Sequence, residues 1–157
     1  MKLLLVRHAI AYDRDAARWP DDSLRPLTPA GRRKFTQACK TLARFEPAVM
    51  FSSPYTRAMQ TAKLLAKHAE WPKPQEMTQL QPDATAAKTV TALAACEADT
   101  VAIVGHEPAL SMLAAHLLGT PVTFEFKKGG AACIEFNGPV KAAAGKLIWL
   151  ATPALLR

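Results

Sequence analysis

The run Leu3-Leu4-Leu5-Val6, which ends in Arg7-His8-Ala9, constrains the fold of this chain more than any other feature. A continuous apolar stretch that short reads as one strand buried on both faces. Such a strand needs helices packed above and below it, and it carries an arginine and a histidine to its carboxyl edge. In open α/β sheets that edge is where ligands bind. Taken alone, the pair reads equally as a capping histidine beside a surface arginine. The rest of the chain has to decide.

The periodicity predicts a strand over residues 2–7, then a long polar loop over 8–27. Loops of that length in a compact domain tend to be functional. Thr28-Pro29 reads as N-cap and first helical residue, opening a helix to about Phe45, before Pro47. A short strand follows at 48–52, and Ser53-Pro54 repeats the cap-plus-proline start for a helix reaching about His68. A weaker strand is expected near 75–80 and a helix over 85–96. Thr100–Gly105 is β-branched and apolar, a central strand, after which Glu107-Pro108 opens a helix to about Leu118, ended by Gly119. The last third reads as strands at 121–126, 131–136 and 146–151, with a turn at 141–145. Residues 1–157 are therefore expected to form one domain, a three-layer α/β/α sandwich with a mostly parallel mixed central sheet.

Half of the residues are hydrophobic and 21% are charged, a globular balance. The net charge of +7 favours anionic partners. The basic residues are scattered apart from Arg32-Arg33-Lys34 and Lys127-Lys128, and no aromatic-rich RNA-binding signature accompanies them, so nucleic acid is not an expected partner. The start of the chain is too short in apolar residues for a signal peptide, and no run approaches membrane-spanning length, so a cytoplasmic protein is expected. Cys39, Cys96 and Cys133 have neither metal-ligand spacing nor a disulfide framework and read as small buried hydrophobes. His68 and His116 read as structural or surface residues of helices, and Trp19 as an anchor of the long loop.

Three strand ends present polar residues alike: Arg7-His8, then Ser52-Ser53-Pro54-Tyr55-Thr56-Arg57, then Gly105-His106. If the strands are parallel, two arginines and two histidines meet at one sheet edge, near helix amino termini that favour an anion. Phosphoryl transfer through a histidine requires such a set. His8 would attack phosphorus in line and form a phosphohistidine. The nearby Arg7 and Arg57 charges would keep His8 neutral, and a carbonyl accepting from one ring nitrogen would fix its tautomer. The two arginines can hold phosphate oxygens in bidentate fashion, and His106 would stabilise transition-state charge. Water then releases phosphate. No metal or other cofactor is called for.

Arg7-His8-Ala9, Ser53-Pro54 with Arg57, and Gly105-His106 together resemble the histidine phosphatase (phosphoglycerate-mutase-like) superfamily. The short length and Arg25-Pro26-Leu27-Thr28 before the first helix are similar to its SixA-type branch of protein-histidine phosphatases. The resemblance covers essentially the whole chain and implies a phosphoglycerate-mutase-like fold. It implies His8 as nucleophile, with Arg7, Arg57 and His106 completing a pocket for a phosphate-type oxyanion, and Arg25 as a further phosphate contact. Arg25 reads equally well as a loop arginine paired with Asp21 or Asp22.

Two departures from the family pattern stand out. Ala9 occupies a position where glycine is usual. Where larger members carry a glutamate as general acid, this chain has Gln79-Leu80-Gln81-Pro82-Asp83. A phosphate ester expels an alkoxide, so a positioned acid helps by roughly 10²–10⁴. A phosphohistidine expels imidazole, whose ordinary pKa is near 6.5. The missing glutamate therefore favours a P–N substrate, and with the resemblance to the SixA-type branch the expected substrate is phosphohistidine on a protein. The alternative is a small-molecule phosphomonoesterase using Asp83 or Glu107 as acid, although Glu107 also suits the helix dipole. A non-catalytic phosphate-binding module is a third reading, disfavoured because binding alone would need only the arginines.

Overall fold

The computed structural model describes residues 1–121 and 124–157. Six strands, β1 (Lys2–Arg7), β2 (Val49–Ser52), β3 (Gln75–Glu76), β4 (Thr100–Gly105), β5 (Ala131–Glu135) and β6 (Lys146–Ala151), form one sheet in the order β3-β2-β4-β1-β5-β6. The first four run parallel; β5 is antiparallel to β1, and β6 to β5. The helices are α1 (Pro29–Leu42), α2 (Thr56–His68), α3 (Ala86–Ala94), α4 (Ala109–Leu118) and α5 (Pro153–Leu156).

Alternation along β1 sets the layers. Leu4 and Val6 pack with Phe35 and Leu42 of α1, Ala62 and Leu65 of α2, and Leu156 of α5. Leu3 and Leu5 face the other way, onto Leu93 of α3 and Leu110, Leu113 and Leu117 of α4. Leu3, Leu4, Leu5 and Val6 are each at most 1% exposed, so the strand is covered on both faces as its continuous apolar run requires. Each such side chain contributes on the order of 1.5–3 kcal/mol. The expected three-layer α/β/α sandwich is the fold observed.

Local signals account for most boundaries. The Thr28 hydroxyl accepts from Gly31 N–H at 2.9 Å with Pro29 in the first turn, and Gly119 ends α4 at φ +67°. Several elements differ from expectation. α1 stops at Leu42 and tightens into a 3₁₀ turn over Ala43–Phe45. α2 starts at Thr56, because Ser53 and Pro54 stay in the strand-to-helix connection instead of capping. β3 is only two residues, paired with Phe51 and Ser52 at the sheet edge after Pro72 and Pro74, and a 3₁₀ turn at Thr78–Leu80 replaces its second half. α3 ends at Ala94. The strand expected at 121–126 includes Val122 and Thr123, which lie outside the described residues; the described remainder is not in a strand. α5 was not expected. Among the described residues, no helix is long and apolar enough to cross a membrane. Cys39 and Cys133 are buried as expected, Cys96 only partly.

Candidate active site

Strand register brings the three polar strand ends level. Arg7 of β1 pairs with Gly105 of β4, and Ser52 of β2 with Val104, so His8, His106 and Ser53 emerge together at the carboxyl edge. Backbone bonds fasten this edge. His8 N–H donates to the Gly105 carbonyl at 3.0 Å and Ser53 N–H to that of Val104 at 3.0 Å. On the other side, Gly129 N–H donates to the carbonyl of His8 at 3.0 Å, with Gly129 at φ +79°, where a side chain is strained.

A cavity of about 300 Å³ opens at this edge, and Arg7, His8, Arg25, Arg57, His106 and Glu107 line it. His8, Arg25, Arg57 and His106 are all buried, at 2–7% exposure. The rings of His8 and His106 lie 5.2 Å apart between centroids.

His8 Nδ1 is 2.7 Å from the Ala9 carbonyl. A carbonyl only accepts, so Nδ1 carries the proton and Nε2 keeps its lone pair. Burial, together with Arg57, Arg7 and Arg25, pushes the His8 pKa down to about 3, against the opposing pull of the Ala9 hydrogen bond. Ala9 is itself anchored, its N–H donating to Thr61 Oγ1 at 3.0 Å, and its methyl group is packed in the core. His106 Nε2 sits 2.8 Å from Ser53 Oγ. Burial, then His8 and Arg57, hold His106 down to about 2. Ser53 Oγ also accepts from Tyr55 N–H at 3.3 Å; a Ser53 proton directed to His106 Nε2 would place the His106 proton on Nδ1.

The arginines are held from the long loop. Asp22 accepts from Arg25 Nε at 2.8 Å and from Arg57 Nη2 at 3.1 Å, and its carbonyl accepts from Arg57 Nη1 at 3.0 Å. Arg25 Nη1 also donates to the Tyr12 carbonyl at 2.6 Å. The two readings of Arg25 are therefore not exclusive: it pairs with Asp22 and lines the cavity. Part of the Arg57 fork is committed to Asp22. Arg7 Nη1 donates to the Phe126 carbonyl at 2.5 Å. Arg7 Nε, Arg57 Nε and His106 Nδ1 are buried without a partner in the protein. Buried polar atoms are nearly always satisfied, and these three belong to residues that line the one cavity.

The two candidate acids part company. Asp83 is exposed and absent from the cavity wall, where its neighbour Pro82 stands instead. Glu107 lines the cavity, and both of its oxygens accept from Ser111, from the backbone N–H and from the hydroxyl. Burial pushes its pKa up. Among the described residues, no group of three or more His, Cys, Asp or Glu is placed to hold a metal ion.

Residues 3–83 match the model of the histidine phosphatase superfamily (branch 1). The chain belongs to that superfamily. It is 35% identical over 117 residues to an uncharacterized protein of Picosynechococcus sp. (strain ATCC 27264 / PCC 7002 / PR-6), covering 70% of this chain and 68% of the other. Its fold is similar to that of the protein histidine phosphatase SixA complexed with tungstate, with a TM-score of 0.83 and 24% identity over all of both chains. It is also similar to mycobacterial glucosyl-3-phosphoglycerate phosphatase with inorganic phosphate, with a TM-score of 0.73 and 18% identity over 97% of this chain and 98% of the other.

Sequence reasoning passed over the residues that hold this superfamily member's site in place. In the sequence Asp22 stands out only as a partner for Arg25, three residues away. Ser53 before Pro54 looks like a helix cap, and nothing local marks Thr61. Its hydroxyl donates to the Arg57 carbonyl at 2.8 Å, four residues back, while receiving Ala9 N–H across 52 residues of sequence.

Proposed function

We propose that the protein is a phosphohistidine phosphatase that removes phosphate from histidine on a protein, through a covalent phosphohistidine on His8. One observation carries the reading: the His8 proton is committed to the Ala9 carbonyl, so a neutral ring offers Nε2 within a cavity lined by four arginines, Arg7, Arg14, Arg25 and Arg57.

The Nε2 lone pair attacks phosphorus, and the substrate P–N bond breaks with its electron pair on the leaving ring nitrogen, which takes up a proton. Arg7, Arg25 and Arg57 hold the phosphoryl oxygens, and His106 donates from Nδ1 to the charge that builds on them. A water molecule then attacks the phosphorus on His8. Inorganic phosphate leaves and His8 returns to the neutral ring.

The substrate class follows from the acid. With Asp83 outside the cavity, Glu107 engaged by Ser111, and the remaining lining carboxylate, Asp13, exposed on the long loop, a leaving imidazole is served better than an alkoxide. The likeness in fold to SixA supports the same choice. A second reading, a phosphomonoesterase for a small phosphorylated molecule, is favoured by the raised pKa of Glu107, which suits a general acid.

Incubation with a histidine-phosphorylated relay protein and with p-nitrophenyl phosphate separates the two. Turnover of the first with a His8-linked phosphohistidine trapped on the enzyme is the expected result. Good turnover of the ester with none of the phosphoprotein would establish the second reading instead. His8→Ala should abolish either activity, by a factor of at least about 10³.

A further inference from the structure

A second concavity, of about 380 Å³, adjoins the catalytic one, and Lys128 lines both. Its wall is built around Ile10, Phe35, Pro153 and Ala154. Ala9 also lines it, and Ala9 directly follows the nucleophile in sequence. Ile10, two residues from His8, is at most about 7 Å from it along the chain.

The charged side chains that line this groove are all basic. Lys34, Lys127, Lys128 and Arg157 line it, and no carboxylate side chain does so among the described residues. The two basic clusters of the sequence, Arg32-Arg33-Lys34 and Lys127-Lys128, thus each contribute to one groove from about 90 residues apart. The first cluster lies in the first two turns of α1, and Lys34 is the member that lines the groove.

We propose that the groove docks an acidic, amphipathic segment of the phosphorylated protein substrate. Apolar side chains of the segment would rest on Ile10, Phe35 and Pro153, and its carboxylates would face Lys34, Lys127 and Lys128. The proposal rests on the protein-phosphohistidine reading and adds where the rest of the substrate binds. Charge complementarity selects the acidic partner, and the apolar wall selects one with an apolar face. Adjacency to His8 requires the segment to be continuous in space with the phosphohistidine itself.

The test uses Lys34→Glu and Ala154→Glu, neither of which touches the catalytic cavity, against two substrates. One is a histidine-phosphorylated relay protein; the other is phosphoramidate, which is too small to reach the groove. Each variant is expected to raise KM for the protein about tenfold, leaving its kcat and all phosphoramidate kinetics unchanged, with unaltered thermal unfolding. Binding of the phosphoprotein to His8→Ala should weaken equally when Lys34→Glu is added. Unchanged KM for the protein, or equal losses on both substrates, would overturn the docking surface while leaving the function intact. Loss of anionic-vesicle or RNA binding in Lys34→Glu, with protein KM unchanged, would assign the rim to those partners instead. If wild-type enzyme turns over p-nitrophenyl phosphate but not the phosphoprotein, the functional reading fails first and the docking surface falls with it.

Discussion

Asp22 holds Arg57 at two points, its carboxylate Oδ2 lying 3.1 Å from Nη2 and its backbone carbonyl 3.0 Å from Nη1. The same carboxylate binds Arg25 Nε at 2.8 Å. Hydrogen bonding to Arg25 keeps the Asp22 pKa below the usual carboxylate value, against the opposing effect of partial burial. One loop residue thus orients two of the three arginines proposed to hold phosphate.

Asp22→Ala should therefore lower kcat/KM by about 10–100-fold, since small displacements of a positioning group cost that much. Both variants keep the backbone carbonyl contact, but Asp22→Asn also keeps one side-chain acceptor, so it should recover part of the loss. Steady-state kinetics with inorganic phosphate as competitive inhibitor checks this, and an inhibition constant unchanged in Asp22→Ala would remove Asp22 from the proposed role.

Ser53 Oγ lies 2.8 Å from His106 Nε2, and a hydroxyl donating there would hold the His106 proton on Nδ1. Ser53→Ala frees Nε2 and lets the proton move there from Nδ1. The expected outcome is a drop in kcat of about tenfold or more with little change in KM, because a donor to developing charge acts on the transition state. A rise in KM alone would contradict the assignment.

Two buried neutral histidines make stability depend on acid. In the unfolded chain both have pKa values near 6.5, whereas in the fold His8 lies at about 3 and His106 at about 2. Between pH 6.5 and 3 the unfolded state therefore binds more protons, so stability rises with pH and is lost as pH falls through that window. Each histidine adds up to about 1.4 kcal/mol per pH unit to the slope. Urea unfolding between pH 7 and 5 should show His8→Asn with a visibly shallower dependence than wild type. An equal slope in the two proteins would mean that His8 titrates normally.

Gly129 lies at φ +79° and a Cβ there would meet Phe35 Cδ2 at 3.1 Å; Gly138 lies at φ +104° with nothing within 4 Å. Gly129→Ala should destabilise the fold by about 1–3 kcal/mol and also reduce activity, because Gly129 N–H is bonded to the carbonyls of Arg7 and His8. Gly138→Ala should share the conformational cost and leave kcat/KM alone. Thermal unfolding paired with kinetics distinguishes them; full activity in Gly129→Ala would show that the backbone clamp is dispensable.

Much of this molecule was legible from local patterns. The apolar period of Leu3–Val6, the Thr28 cap and Gly119 act within a few residues of chain, so they specify strands and helices wherever those elements later pack. They also place Arg7, His8, Arg57 and His106 at the ends of those elements. Ser53 shows where such reading stops: serine before proline looks like a cap, but its hydroxyl is taken up by His106, 53 residues away. The two-residue β3 shows the same limit, because its length depends on how much of β2 lies beside it.

The sequence by itself therefore determined the alternation of elements, the coverage of the central strands on both faces, and the residue types at each strand exit. Only the tertiary structure decided that Arg7 pairs with Gly105 and Ser52 with Val104, which brings those exits level. It alone folded the loop back so that Asp22 reaches Arg57 across 35 residues. The physical reason is range. Propensity and periodicity act between near neighbours, whereas strand register and ion pairs across the fold arise only after distant segments have packed and closed their loops.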